Sequence, residues 1–331
     1  MEDRRELTFK ISCFNPEVND KPFFKSYDLN LEKGITILRA INHIKDRVDS
    51  TISMRFFCQA GICGSCAVKV NGVSMLACTT QVWDHIEDCK EEGVIVIEPL
   101  SNFKVIKDLV VDIDPMIQKL KNHKAWVVPA MDESKLGEKE FPIQEKDFQR
   151  INPATDCILC ASCYSECSLL EVSEGFISPL VMLKTFRMND DSRDKLNDER
   201  MRIAIQDGGI WDCTHCYRCV EVCVKNIPIM DAIQGLRQES MEMGLDFTEG
   251  AGHARAFGDA ISKTGRLDEF QLPLKTLGPF GALRLIPFAI TMGIKGRVPP
   301  IFPHKSKDID KLRTAIQLYR KDRLEGNVDL D

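Results

Sequence analysis

Twelve of the fourteen cysteines in this 331-residue chain stand in three tight runs. Thiolate sulfur is the ligand that holds iron–sulfur clusters. The first run is Cys58-x4-Cys63-x2-Cys66, with Cys78 twelve positions further on; the second is Cys157-x2-Cys160-x2-Cys163-x3-Cys167; the third repeats that spacing at Cys213, Cys216, Cys219 and Cys223. A chain of this length needs no disulfide framework, so cysteines at such short gaps read as metal or cluster ligands. Ligands of this kind act as thiolates and are loaded under reducing conditions. Cys13 and Cys89 stand apart and read as bystander thiols.

The spacing of the first run is that of a plant-type 2Fe–2S centre, with Cys58, Cys63, Cys66 and Cys78 as ligands. Three thiolates from one loop must converge, so the backbone has to fold tightly around them, and Gly61 and Gly64 supply the conformations such a turn needs. Small residues at Ala60 and Ser65 leave backbone N–H groups free to point at sulfur, which tunes a cluster's potential. A zinc knuckle is the competing reading. It normally joins two C-x2-C halves, and the first run departs from that pattern. The other two runs have the bacterial ferredoxin spacing, in which the fourth cysteine serves the other cluster. This assigns Cys157, Cys160, Cys163 and Cys223 to one 4Fe–4S centre, and Cys167, Cys213, Cys216 and Cys219 to a second. The second is 4Fe–4S with Cys216 bound and 3Fe–4S if Cys216 is not a ligand. No Ser-His-Asp constellation, Walker loop or G-x-G-x-x-G after a strand accompanies them, so no catalytic residue is assigned. Three redox centres without a substrate site suit electron relay between partners.

The elements that must position these ligands follow from local pattern. Leu7–Phe14 alternates as a strand, Asn15–Pro22 is turn-forming, and Phe23–Leu29 returns as the second strand of a hairpin. Gly34 opens a helix with Leu38, Ile41, Ile44 and Val48 on one face. Ala67–Val70 and Val73–Leu76, divided by Asn71-Gly72, form a tight hairpin, and Val94–Ile97 is a short buried strand. Hairpin, helix and further strands within about a hundred residues predict a β-grasp-like sheet crossed by a helix. From Asp147 onward the pattern is helical, with Pro179–Met188 and Asp198–Ile205 between the two repeated runs. The fold class is α+β. Residues 1–110 form a β-grasp plant-type 2Fe–2S ferredoxin domain and 111–145 a crossing segment, exposed at Asp132–Glu140. Residues 146–245 form an all-α bacterial-type ferredoxin domain, and 246–331 a helical extension ending in an amphipathic helix at Asp308–Leu324.

Composition narrows the function classes. At 44% hydrophobic and 28% charged residues the chain can bury a core. A net charge of −6 argues against a nucleic-acid binder, which usually shows a basic stripe. The N-terminus lacks the apolar centre of a signal peptide. The longest apolar run, Leu277–Ile294, holds Arg284, three glycines and two prolines and makes a poor spanning helix. With Lys295, Arg297 and Lys305 beside it, that run suits a partner or lipid surface.

The sequence resembles the iron–sulfur subunits of succinate dehydrogenase and quinol:fumarate reductase. The likeness covers roughly residues 5–240 and includes Cys58-Gln-Ala-Gly-Ile-Cys63-Gly-Ser-Cys66, Val105–Asp112, Cys157-Ile-Leu-Cys160-Ala-Ser-Cys163 and Asp191-Ser-Arg193. Gly265-Arg266-Leu267 and Leu283–Ile290 are similar to heterodisulfide-reductase-type subunits, which points to the divergent menaquinol:fumarate reductase class. The resemblance implies a FAD-containing flavoprotein partner that handles succinate and fumarate. It also implies a Cys-rich or membrane-anchor partner on the quinone side, and peripheral membrane association through that partner. No signal peptide of its own is expected. The expected side is the cytoplasmic face, or the periplasmic face by co-export with the flavoprotein. The alternative is the wire of a glycolate- or heterodisulfide-reductase-like flavoenzyme, against which the Val105–Asp112 segment counts. Three departures from the family stand out. Cys216 occupies a position where members commonly have another residue. Ser168 and Val224 follow the last cysteine of each run in place of proline. Val172 and Thr214 stand where the family's quinone pocket has Trp and His.

Overall fold

A computed structural model describes residues 4–86, 93–131, 134, 137–138, 140–245, 247–300 and 304–324. Cys89 and most of the polar stretch Asp132–Glu140 lie outside the described residues. The fold is mixed, with an N-terminal sheet followed by helices, and the chain divides into two compact units, Met1–Gln238 and Glu239–Asp331.

The first unit begins with an antiparallel pair, β1 (Arg4–Cys13) and β2 (Phe23–Glu32), in which Leu7 lies opposite Leu29 and Phe9 opposite Tyr27. Tyr27, Leu29 and Leu31 are buried while the residues between them are exposed, the period-two signature of a half-buried strand. Helix α1 (Ile37–Arg47) then buries Ile37, Leu38, Ala40, Ile41 and Ile44. Its N-cap is Thr36, whose hydroxyl accepts from the N–H of Arg39. The start expected at Gly34 is therefore displaced: Gly34 has φ of +89° and makes the turn before the cap. Val48 is also corrected. It follows the last helical turn and stays 60% exposed, off the buried face.

The hairpin of β3 (Ala67–Val70) and β4 (Val73–Leu76) turns at Asn71-Gly72, both at positive φ. Strand β5 (Val94–Glu98) runs parallel to β1 and antiparallel to β3, giving the order β2-β1-β5-β3-β4. Strands β6 (Val105–Lys107) and β7 (Val110–Val111) form a small separate ladder. At its turn the buried Asp108 carboxylate accepts from the backbone N–H groups of Phe14 and Ser53. This fixes the Val105–Asp112 segment to the end of β1 and to the approach of the first cysteine loop.

Helices α2 (Asp114–Asn122) and α3 (Glu145–Thr155) lead into the cysteine-bearing part. Very short helices α4 (Ser162–Ser165) and α5 (Ser168–Val172) belong to the second run and α8 (Arg218–Glu221) to the third, and α4 packs on α8. Between them α6 (Pro179–Asn189) and α7 (Asn197–Ala204) contribute to the core, with Leu180, Val181, Met182 and Met201 buried. The fully buried Arg200 pairs with Asp194 and also donates to Asn189 Oδ1 and to the carbonyls of Lys124 and Trp126. Every charge taken out of water there has a partner, as burial demands. Helix α9 (Ile229–Glu242) reaches the boundary of the unit.

The second unit contains α10 (Glu249–Thr264), α11 (Leu272–Leu283), α12 (Ile286–Ile294) and α13 (Ile309–Leu324), with α10 packed on α11 and α13. The apolar run Leu277–Ile294 thus falls on two helices. No single described helix is long and apolar enough to cross a membrane; α11 and α12 meet at a bend of 106°.

Candidate functional site

The first cysteine loop has Gln59, Gly61 and Gly64 at positive φ, so the chain coils back on itself within a few residues. That coil aims the backbone N–H groups of Ala60, Ile62 and Cys63 at Cys58 Sγ, at 3.4, 3.4 and 3.3 Å. The N–H of Ala60 therefore serves as its small side chain suggests. Ser65 contributes through its backbone N–H and through its hydroxyl, 2.8 Å from Cys63 Sγ. That contact, together with nearby N–H groups, holds the Cys63 thiol down at about 6. Cys66 and Cys78 are buried and are brought together by the β3–β4 register, in which Ala67 lies opposite Leu76. Burial pushes the Cys66 thiol up to about 12.

Gly64 has a second role. A Cβ there would lie 2.9 Å from the Cα of Cys160 and 3.0 Å from the carbonyl oxygen of Ile158. The loop of the first run therefore rests directly on the backbone of the second. Glu166 reinforces the junction, accepting from the Ser74 backbone and hydroxyl and pairing with Lys69 and Arg218. The Asn102 amide donates to the carbonyls of Tyr164, Ser165 and Cys167.

The second and third runs share a backbone as well as a spacing. Leu159 and Ala161 have φ of +57° and +66°, and the equivalent His215 and Tyr217 have +56° and +61°. Residues with side chains seldom adopt this region, and it persists where the surroundings require it. One cavity is lined by Cys157, Cys160, Cys163 and Cys223, with Leu180, Ile227 and Ile229 closing its apolar side. Cys223 Sγ accepts from the N–H of Ile227. Burial drives the Cys163 thiol well above its usual range, and the proximity of Cys160, Cys157, Cys219 and Cys223 adds to it. Burial also raises Cys160, with Cys157 and Cys223 near enough to contribute.

Cys167, Cys213 and Cys219 form the second neighbourhood. Burial lifts Cys219 to about 12, helped by Cys213, Cys216 and Cys167. Burial likewise raises Cys167 and Cys213, and Cys216 lies close enough to contribute to both. Cys216 itself is exposed. Cys13 is buried at the end of β1, its thiol donating to the Ile11 carbonyl. Ser168 opens α5, Val172 is 80% exposed, Val224 lines the four-cysteine cavity and Thr214 is exposed.

These donors suit clusters. Buried thiols that crowd one another ionise only when cationic iron offsets both burial and mutual repulsion. Among the described residues, no three or more Cys, His, Asp or Glu side chains are arranged to hold a metal ion. A cluster, with sulfide between its irons, needs its thiolates further apart than a lone ion does.

Several residues of the site were invisible to motif reading. Arg237 on α9 donates to the Cys213 carbonyl, approaches His215 Nε2 at 2.9 Å and lies over the Trp211 ring. Glu166 and Asn102 join segments far apart in sequence. Their residue types alone carry no such signal.

Comparison with known proteins shows the family. A family model for a 2Fe-2S iron-sulfur cluster binding domain matches residues 8–118, and one for a 4Fe-4S dicluster domain matches residues 153–227. The 8-methylmenaquinol:fumarate reductase iron-sulfur subunit of Wolinella succinogenes is 36% identical, over 89% of this chain and 92% of its own length. The fumarate reductase iron-sulfur subunit of Mycobacterium tuberculosis is 33% identical over 69% of this chain and 90% of its own. The mitochondrial succinate dehydrogenase [ubiquinone] iron-sulfur subunit of Dictyostelium discoideum is 33% identical over 67% and 78%. A chain of the Mycobacterium smegmatis Sdh1 complex in the apo form shares the fold, with a TM-score of 0.64 at 22% identity, over 74% of this chain and 99% of that one. With family models of a 2Fe-2S and a 4Fe-4S domain matched and a relative at 36% identity over nearly the whole length, this chain belongs to the family of succinate dehydrogenase and fumarate reductase iron–sulfur subunits.

Proposed function

We propose that this chain is the electron-transfer subunit of a membrane-associated fumarate reductase or succinate dehydrogenase, working between a FAD flavoprotein and a quinone-side subunit of menaquinol type. The observation that carries the reading is the four-cysteine cavity with the first cysteine loop seated on Cys160. Cys58, Cys63, Cys66 and Cys78 would hold the 2Fe–2S cluster. Cys157, Cys160, Cys163 and Cys223 would hold one 4Fe–4S cluster, and Cys167, Cys213, Cys216 and Cys219 the other. Such clusters, when bound, supply reversible one-electron chemistry. The chain's own residues do the rest. Gly64 permits close approach of two ligand loops. The N–H groups on Cys58 stabilise negative charge at that thiolate. Burial of Cys163, Cys167 and Cys219 keeps water from the sulfur ligands.

The strand order β2-β1-β5-β3-β4 with α1 supports a β-grasp reading of residues 1–110, and the shared backbone of the two later runs supports a bacterial-ferredoxin reading of 146–245. The extension 246–331 holds no cysteine and is assigned to docking on the quinone side. Purification of the native complex tests the function. It should reduce fumarate with a reduced menaquinol analogue or oxidise succinate. Turnover of glycolate or a heterodisulfide instead, with neither of those reactions, would overturn the assignment.

A further inference from the structure

We propose that α11 and α12 bind directly to the surface of an anionic lipid bilayer, α12 lying within the outer part of the hydrocarbon and the flanking cations among the headgroups. The proposal deepens the docking role of the extension and commits it to lipid.

The first observation is that α12 is apolar all round. Its residues are Ile286-Pro-Phe-Ala-Ile-Thr-Met-Gly-Ile294, and none of them is buried. Phe288, Ile290 and Ile294 are 64%, 58% and 82% exposed. Its one hydroxyl, on Thr291, donates back to the Pro287 carbonyl and so needs no outside partner. A helix that docks on a protein surface is apolar along one stripe, whereas a helix apolar on every side wants an apolar medium on every side. Lipid meets that requirement and a flat protein face does not.

Length and shape set the depth. Nine residues at about 1.5 Å each give about 14 Å, too short for a hydrocarbon core of about 30 Å. The 106° bend between α11 and α12 turns the chain rather than continuing it across. Phe280 and Leu283 on α11, 84% and 57% exposed, extend the apolar surface towards that bend.

Charge supplies the third argument. From Phe270 to Lys307 the sequence contains Lys275, Arg284, Lys295, Arg297, Lys305 and Lys307 and neither Asp nor Glu, within a chain of net charge −6. Arg284 precedes α12 and Lys295 and Arg297 follow it, so exposed cations bracket the apolar helix at both ends. Cations beside an apolar segment are drawn to an anionic leaflet.

The test is flotation of the full-length, cluster-loaded protein with phosphatidylcholine vesicles, with and without phosphatidylglycerol. Binding is expected to phosphatidylglycerol vesicles, and to weaken with salt. Phe288→Asp with Ile290→Asp should abolish it. Lys295→Gln with Arg297→Gln should weaken it roughly 30-fold, two cations at about 1 kcal/mol each. All four side chains are exposed, and an unchanged visible spectrum confirms an intact fold. In a Phe288→Trp variant, brominated acyl chains should quench the new emission. The inference is overturned if the wild type floats with neither vesicle, or if the aspartate pair binds as well as wild type. It is also overturned if α12 proves to be covered by a protein subunit that the aspartate pair releases. Dye-driven fumarate turnover by the native complex separates the two readings. Intact turnover with no flotation sinks the lipid inference alone, and absent turnover sinks the electron-transfer reading.

Discussion

A single methyl group tests the closest approach in the molecule. Gly64 has φ of +73°, and its missing Cβ is what lets the first cysteine loop lie against Cys160. Gly64→Ala should force the loops apart, costing about 1–3 kcal/mol in overpacking and strain. The expected result is a lower thermal midpoint and weaker magnetic coupling between the reduced centres; an unchanged spectrum and midpoint would refute it. Cys216 is the other decisive residue. Cys216→Val should convert a complete 4Fe–4S centre into one with the resonance of a 3Fe–4S centre, since three thiolates still hold three irons. A strong 3Fe–4S signal in anaerobically prepared wild type, unchanged in the variant, would make Cys216 a spectator. The twelve candidate ligands were legible because cluster chemistry imposes spacing on sequence. Gly64 was legible as a turn residue, but its contact with Cys160 was not, because the contact joins loops nearly a hundred positions apart.

Among elements, the paired runs predict a crossed phenotype. Cys223 lies in the third run yet lines the cavity of Cys157, Cys160 and Cys163. Cys223→Ser should therefore damage that centre and spare the one on Cys213, Cys216 and Cys219; loss of the latter alone, by resonance spectroscopy, would reject the crossing. A second prediction concerns the turn after α6. The buried Asp191 carboxylate is held below the usual range, chiefly by Arg193, with Arg187 adding to it. Its stabilisation is present above the unfolded carboxylate value of about 4 and is lost as pH falls through the lower folded value. Asp191→Asn should cost about 1–3 kcal/mol near neutral pH, seen as a lower urea midpoint, and the gap from wild type should close on acidification. A gap independent of pH would exclude the charge as its cause. Strands such as β1 were readable from alternation and α1 from its period. Their ends were not, because the Thr36 cap outcompetes Gly34 and the helix stops before Val48 can turn inward. The burial of Arg200 left no local trace, since two of its acceptors, the carbonyls of Lys124 and Trp126, lie more than seventy positions away.

At the scale of the whole molecule, every candidate ligand precedes the second unit. Removing residues 247–331 should leave the iron content and visible spectrum intact while abolishing turnover with quinol; loss of iron would show that the extension supports cluster assembly instead. The shared cavity also has a bearing on how the protein is made. A chain leaving the ribosome presents Cys58 to Cys78 early and as a set, so its first metal site is complete while synthesis continues. The next three cysteines emerge without their fourth, which arrives only when Cys223 has been translated and α6 and α7 have folded between them. Until then that site cannot close. Closing the proposed site of Cys157, Cys160 and Cys163 would therefore wait for the third run, and a chain stalled between Cys163 and Cys223 would expose an open thiol triad to oxidation.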